Sequence, residues 1–265
     1  MPRRKSSPPR KSKRKNSIAR SSESPNWLYG AHTVMALLAN PARRYSRILV
    51  CDPAVAAQIA TTITNTVQAA VEMVPRDVLE AMLPDGAVHQ GIAVLASPLE
   101  NIPLEEICDQ ANTLPEARII VLDQVSDPHN IGAIIRTAAA FSALAVVVQD
   151  RHTPTVTGVL AKAASGGIEH CPLVRVTNLA RALETLQRAG VWCIGLDSEA
   201  SQSLRSAKVS GPTALVLGAE GGGLRRLTRD VCDALAVIPY SGPLASLNVS
   251  NAAAIALYEI TQTEN

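Results

Sequence analysis

Leu215-Val216-Leu217-Gly218-Ala219-Glu220-Gly221-Gly222-Gly223-Leu224-Arg225-Arg226 carries an apolar run into a glycine-rich turn and out into a charged segment. The run is short enough for a strand buried on both faces, and the glycines after it let backbone groups approach a ligand closely. Two further segments are built the same way. One is Asp127-Pro128-His129-Asn130-Ile131-Gly132-Ala133-Ile134-Ile135-Arg136-Thr137-Ala138; the other opens with Ile238-Pro239-Tyr240-Ser241-Gly242 and continues through Ser246-Leu247-Asn248-Val249-Ser250-Asn251 into an Ala-rich helix. Each places Gly, Asn, Ser, Glu or Arg where a strand gives way to a helix. In open α/β sheets ligands bind beyond the carboxyl ends of the strands, so these loops are the candidate site.

Working outward, strand and helix alternate from residue 117 onward. Strands are expected at 118–122, 144–148, 191–196, 214–217 and 234–238, with helices at 131–141, 157–164, 179–189 and 247–261. That alternation predicts a mostly parallel sheet covered on both faces, an α/β fold. Asp127-Pro128 makes a turn, Asn130 takes the expected N-cap position and Arg136 lies two turns into the helix. Capping accounts for one or two of Ser246, Asn248 and Ser250, but not for all three. Upstream, a helix at 31–40, a strand at 48–51, an Ala/Thr-rich helix from 54 to about 71, a helix at 76–83 and a strand at 91–96 form a small α/β unit within 25–97. Residues 98–115 are polar and flanked by proline; they read as a linker holding one short helix at 104–110. The larger domain is then 116–265.

Composition bounds the rest. Hydrophobic residues make up 47% of the 265 and charged residues 18%, which is globular. No apolar stretch reaches membrane-spanning length and none near the N-terminus resembles a secretory signal, so no membrane partner is expected. Cys51, Cys108, Cys171, Cys193 and Cys232 are scattered and odd in number. They fit a reduced cytoplasmic setting and core packing better than disulfides or a metal site, and no metal is expected. The net charge of +2 hides an asymmetry: residues 1–24 hold nine Lys or Arg against one Glu, leaving 16 basic and 22 acidic residues in the body. The tail is too poor in apolar residues to fold and reads as a disordered polycation suited to phosphate backbone. A solubilising extension or a transit peptide remain the alternatives; the Pro8-Pro9 pair and the lack of an apolar face argue against the latter.

Single motifs decide little. The 218–223 spacing is G-x-x-G-G-G with no ribose-binding acid at the Rossmann distance, and a P-loop would need Gly-Lys-Ser/Thr. Together, in order and wording, the three segments resemble the motifs of the SpoU (TrmH-like) branch of the SPOUT RNA methyltransferases. Residues 27–34 and His89-Gln90-Gly91 resemble that family's small substrate-binding domain, so about 240 of the 265 residues are covered. The resemblance implies a catalytic domain with a deep trefoil knot and a homodimer with its sites at the subunit interface. It implies S-adenosylmethionine held by Leu217, Gly218, Ala219, Ile238 and Leu247, and a catalytic set of Asn130, Arg136, Glu220, Ser246 and Asn248. Arg136 would favour the 2′-alkoxide electrostatically, oriented by Glu220 and Asn130, because a guanidinium is no base. Ser246 and Asn248 would shape the pocket where the ribose meets the cofactor. The reaction implied is 2′-O-methylation of a ribose, of guanosine in 23S rRNA; tRNA is the alternative substrate, and a non-catalytic RNA-binding assembly protein the alternative role. Gly222 departs from the acidic residue common among relatives, and Asn251 from an apolar one.

Overall fold

Period-two burial builds the larger sheet. In β5 (Arg118–Asp123) every residue is buried, with Ile120 and Leu122 facing one helical layer and Ile119 and Val121 the other. The same alternation runs through β9 (Thr213–Gly218): Leu215 and Leu217 face one way, Ala214 and Val216 the other. Strands buried on both faces read as continuous apolar runs, which is why they are legible in the sequence. The computed structural model describes residues 26–62, 69–207, 210–243 and 246–262. The basic tail at 1–24, and residues 63–68 of the helix expected from 54 to about 71, lie outside them.

The smaller unit comprises β1 (Trp27–Tyr29), α1 (Ala31–Ala39), β2 (Tyr45–Val50), α2 (Pro53–Thr62), β3 (Val71–Met73), α3 (Arg76–Glu80) and β4 (Ile92–Ala96). Its sheet has the order β1-β4-β2-β3, with β4 antiparallel to β1 and β2, and β3 parallel to β2. The larger unit adds α4 (Leu104–Thr113), β5, α5 (Pro128–Ala140), β6 (Ala145–Gln149), α6 (Gly158–Ala164), β7 (Leu173–Val176), α7 (Leu179–Arg188), β8 (Trp192–Leu196), β9, α8 (Arg226–Val231), β10 (Ala234–Ala236) and α9 (Val249–Thr261). Its sheet order is β10-β8-β9-β5-β6-β7 with every pairing parallel. Helices α5, α6 and α9 cover one face; α4 and α7 cover the other.

Several expectations change. Residue 71 is a strand residue rather than the end of the helix that opens at Pro53. The 98–115 segment contains α4, whose Leu104, Ile107, Cys108 and Ala111 are buried in the core of the larger sheet, so this stretch is a packed layer element. Strands β1, β3 and β7 have no counterpart among the expected elements. All three are edge strands of only three or four residues, too short for an alternation to show in the sequence. Successive strands β5, β6 and β7 step toward one edge while β8, β9 and β10 lie on the other side of β5. The order therefore reverses between β5 and β9, the kind of switch point where open sheets place a site.

Candidate active site

Two helix starts and one glycine loop converge at that switch point. Helix α5 is capped by Asp127, whose side chain accepts from the backbone N–H of His129 (3.0 Å), with Pro128 at the first helical position. The cap is thus three residues before Asn130, which frees the Asn130 side chain for other work. Helix α9 is capped by Asn248: its Oδ1 accepts from the N–H groups of Ser250 (2.9 Å) and Asn251 (3.4 Å) and from the Ser250 hydroxyl (2.5 Å). Those donors fix which end of the Asn248 amide is oxygen. Its Nδ2 therefore points outward, donating to Glu220 Oε1 (2.6 Å) and Asn130 Oδ1 (3.0 Å).

Asn130 Nδ2 also donates to Glu220 Oε1 (3.0 Å), which closes a triangle of Asn130, Glu220 and Asn248. The Val249 N–H reaches the same oxygen at 3.4 Å. The carboxylate sits at the starts of α5 and α9, where the orphan N–H groups and helix dipoles favour negative charge. Arg136 is not part of this triangle. Among the described residues it has no hydrogen-bond or ion-pair partner, and its side chain is exposed. Six residues past Asn130 on a regular helix it lies about 9 Å further along α5 and about 120° around it. Neither Glu220 nor Asn130 holds it, contrary to the expected orienting role.

The glycine loop is folded tightly on itself. Ala219 and Gly223 form an antiparallel bridge, with the Gly223 N–H donating to Ala219 O (2.9 Å). A Cβ on Gly218 would lie 2.0 Å from the Gly223 carbonyl carbon, so only glycine fits there. Gly222 meets nothing within 4 Å, so its departure from an acidic residue has no packing consequence. Beside the loop opens a cavity of about 270 Å³. Leu217, Gly218, Ala219, Ile238 and Leu247, all five expected cofactor residues, line it, as do Glu220 and Ser246. Loop backbone on one side and apolar residues including Val249 and Ala252 make a mixed lining that fits an adenosine-bearing cofactor in chemical kind. A larger cavity of about 1330 Å³ lies between the two units, away from all of these residues. The smaller one is the better candidate, because it sits at the carboxyl ends of β8 and β9.

Other residues there carry no motif of their own in the sequence. Leu196, Asp197 and Ser198, at and just past the end of β8, line the cavity; an acid directly following an apolar strand is the signal that could have found Asp197. Asp123, the fully buried last residue of β5, accepts from the Arg225 N–H (2.9 Å) and Nε (2.6 Å), while Arg225 Nη2 donates to Gln149 (3.1 Å). That network ties the far end of the glycine loop to the ends of β5 and β6. Among the described residues no group of three or more His, Cys, Asp or Glu is placed to hold a metal ion. No helix among them is long and apolar enough to cross a membrane.

Comparison with known proteins matches two family models, in different parts of the chain. A model of the SpoU rRNA Methylase family matches residues 117–258, and a model for RNA 2′-O ribose methyltransferase substrate binding matches residues 27–102. The 23S rRNA (guanosine-2′-O-)-methyltransferase RlmB of Pseudomonas putida is 41% identical over 239 residues, covering 88% of this chain and 94% of that one. The protein of the same name from Escherichia coli K12 is 37% identical over 234 residues, covering 88% and 96%. Among solved structures, the SpoU methyltransferase AviRb from Streptomyces viridochromogenes in complex with AdoMet has a TM-score of 0.74 at 22% identity, over 88% of each chain. An AdoMet-bound rRNA methyltransferase from Sinorhizobium meliloti gives 0.72 at 24%, over 89% of this chain and 86% of that one. At those identities the likeness speaks for the fold alone.

Proposed function

The chain belongs to the SpoU rRNA methylase family, and from that premise we infer that it transfers a methyl group from S-adenosylmethionine to the 2′-hydroxyl of a guanosine in 23S rRNA. The observation that carries the reading is the meeting of three remote segments at one cavity. Residues 217–220, 238, 246, 247 and 249 line it, and Asn130 joins through Glu220. When bound, the cofactor supplies a methyl group on a positively charged sulfur. A methyl group so activated would pass to the ribose 2′-oxygen, whose proton would leave to water.

This chain's residues have three tasks in that step. Leu217, Gly218, Ala219, Ile238 and Leu247 bind the cofactor, largely through backbone groups and apolar contact. The Glu220–Asn130–Asn248 triangle fixes the mouth of the cavity, with Ser246 on its lining, and orients the ribose by offering hydrogen-bonding groups that need no reorganisation. Arg136, exposed and unpaired among the described residues, holds the neighbouring phosphate and stabilises the developing alkoxide as a permanently charged group. Its position on another face of α5 favours action across a subunit boundary. The working unit is accordingly a homodimer, and α9 supports this by exposing Ile255 and Tyr258 on one stripe.

The C-terminal segment is read as threaded into a trefoil knot. Support comes from its path. Strand β10 lies at the sheet edge, yet the chain after it returns to Glu220 near the centre. On the way Val237 is bonded on both sides to the 202–204 stretch, through Leu204 N–H to Val237 O (2.9 Å) and Val237 N–H to Gln202 O (2.8 Å). The five cysteines are unpaired, in keeping with a cytoplasmic setting.

The test is methylation with labelled S-adenosylmethionine of unmodified 23S rRNA and of tRNA side by side, followed by mapping of the modified ribose. Label at one guanosine of 23S rRNA is expected, and Arg136→Ala should remove it while cofactor affinity in calorimetry stays nearly unchanged. Label confined to tRNA would overturn the substrate, and a protein with no affinity for the cofactor would overturn the activity.

A further inference from the structure

We propose that residues 158–169 form a coupling plate through which the substrate-binding unit sets the position of Arg136, with Glu169 as its positioning residue. This rests on the role given to Arg136 above. The plate consists of α6 and the short 3-10 turn Gly167–Glu169, and it is pressed between the small unit on one side and α5 on the other.

Toward the small unit, contact is nearly backbone to backbone. A Cβ on Gly158 would lie 2.4 Å from the Tyr29 ring and 2.5 Å from Trp27 O. A Cβ on Gly166 would lie 2.7 Å from Ala36 Cβ, on α1. The Thr33 hydroxyl donates to Ala161 O (3.1 Å), and Lys162 donates to Gln90. Glu169 completes the joint: it accepts from Asn40 Nδ2 (2.7 Å) and from Arg43 Nε (2.9 Å), and pairs with Arg43 Nη2 (2.8 Å). The side chains of Glu169 and Arg43 are 1% and 2% exposed.

Toward the catalytic unit the plate is equally close. A Cβ on Gly132 of α5 would meet Ala163 Cβ at 2.5 Å and Leu160 O at 2.6 Å. A Cβ on Gly167 would lie 3.0 Å from Arg136 Cα, 3.1 Å from Ile135 O and 3.2 Å from Arg136 N. The turn that bears Glu169 thus rests directly on the backbone of the catalytic arginine. Close-packed contacts of this kind transmit displacement instead of absorbing it. A buried ion pair is a poor source of stability compared with apolar packing, but it accepts only one register. Glu169 therefore indexes the RNA-gripping unit to Arg136, and RNA that docks correctly finds the arginine already placed.

The experiment uses the full chain with labelled cofactor and 23S rRNA, comparing Glu169→Gln, Gly167→Ala and, as reference, Arg136→Ala. Turnover is expressed per cofactor-binding site counted by calorimetry, so a loss of folding is not mistaken for a loss of rate. We expect both plate variants to lose about tenfold or more in kcat, since ångström-scale misplacement carries penalties of that order. KM for RNA and cofactor affinity should stay within roughly twofold of the unaltered protein, because uniform binding is untouched. Gly167→Ala leaves the ion pair intact and decides the matter alone if Glu169→Gln does not fold. Unchanged kcat per site in Gly167→Ala, or a loss confined to RNA affinity, overturns the coupling while Arg136→Ala remains inactive. Turnover retained in Arg136→Ala overturns the coupling together with the role of Arg136 on which it rests.

Discussion

Glu220 collects donors from Asn130, Asn248 and Val249 on a single oxygen, which makes it the most constrained side chain of the site. Glu220→Gln keeps the shape but replaces charge-assisted bonds, worth about 1.5–3 kcal/mol each, by neutral ones worth about 0.5–1.5. Single-turnover methylation should slow by about tenfold or more, and rates within twofold of the unaltered protein would reduce the triangle to a helix cap. The cysteines give a pH prediction of known sign. Burial pushes the thiols of Cys171 and Cys232 up from 9.0 to about 12. Ionisation thus favours the unfolded chain: the stabilisation is complete below about pH 9 and is lost as pH climbs toward 12. Urea midpoints should hold level to about pH 8.5 and fall by about pH 10.5. At this scale the sequence is a good guide to residue types, because Glu, Asn and Ser at strand-to-helix junctions stand out against apolar runs. Their pairing is not legible: that Glu220 bonds Asn130 and Asn248 instead of Arg136 depends on which way two helix starts face.

Among elements, the glycine loop is anchored at both ends, by β9 at Gly218 and by the Asp123–Arg225–Gln149 network at Arg225. Asp123 is fully buried, so its partner must remain. Asp123→Asn should loosen the loop and weaken cofactor binding by about tenfold, in line with a charged hydrogen bond. Calorimetry checks this, and unchanged affinity would confine the network to stability. Central strands such as β5 and β9 are legible because both faces are buried. The edge strands β1, β3 and β7 escape notice because three or four residues are too few to show a period, and α4 passes for a linker because its few apolar positions sit between prolines. The start of α5 lies three residues earlier than the sequence suggests, since Asp127 and Pro128 supply a cap that also reads as a turn.

For the whole molecule, charge is divided between a basic segment at 1–24 and a body in which acidic residues outnumber basic ones. Deleting 1–24 should weaken binding to rRNA and flatten the dependence of log K on log salt, by up to about 0.7–0.9 for each phosphate the segment would otherwise neutralise. Binding titrations between 50 and 300 mM salt, as roughly that range is where counterion release is read most easily, measure it; an identical slope would leave the segment without a part in RNA affinity. The alternation of strands and helices makes the parallel sheet legible, whereas strand order is not, because sequence pattern carries no information on which strand inserts between which.

The glycine-lined joint has a bearing on how this protein could be retargeted. Where two units are strung on a slack tether, one can be exchanged for a foreign counterpart and each keeps its trade. Here the seam requires Gly158 and Gly166 on one side, Trp27, Tyr29 and Ala36 on the other, and Arg43 and Asn40 placed to receive Glu169. A chimera that brings a new RNA-reading unit must import those seam residues with it, and one that matches only the ends of the chain will join two working halves into a methyltransferase that grips its target out of register.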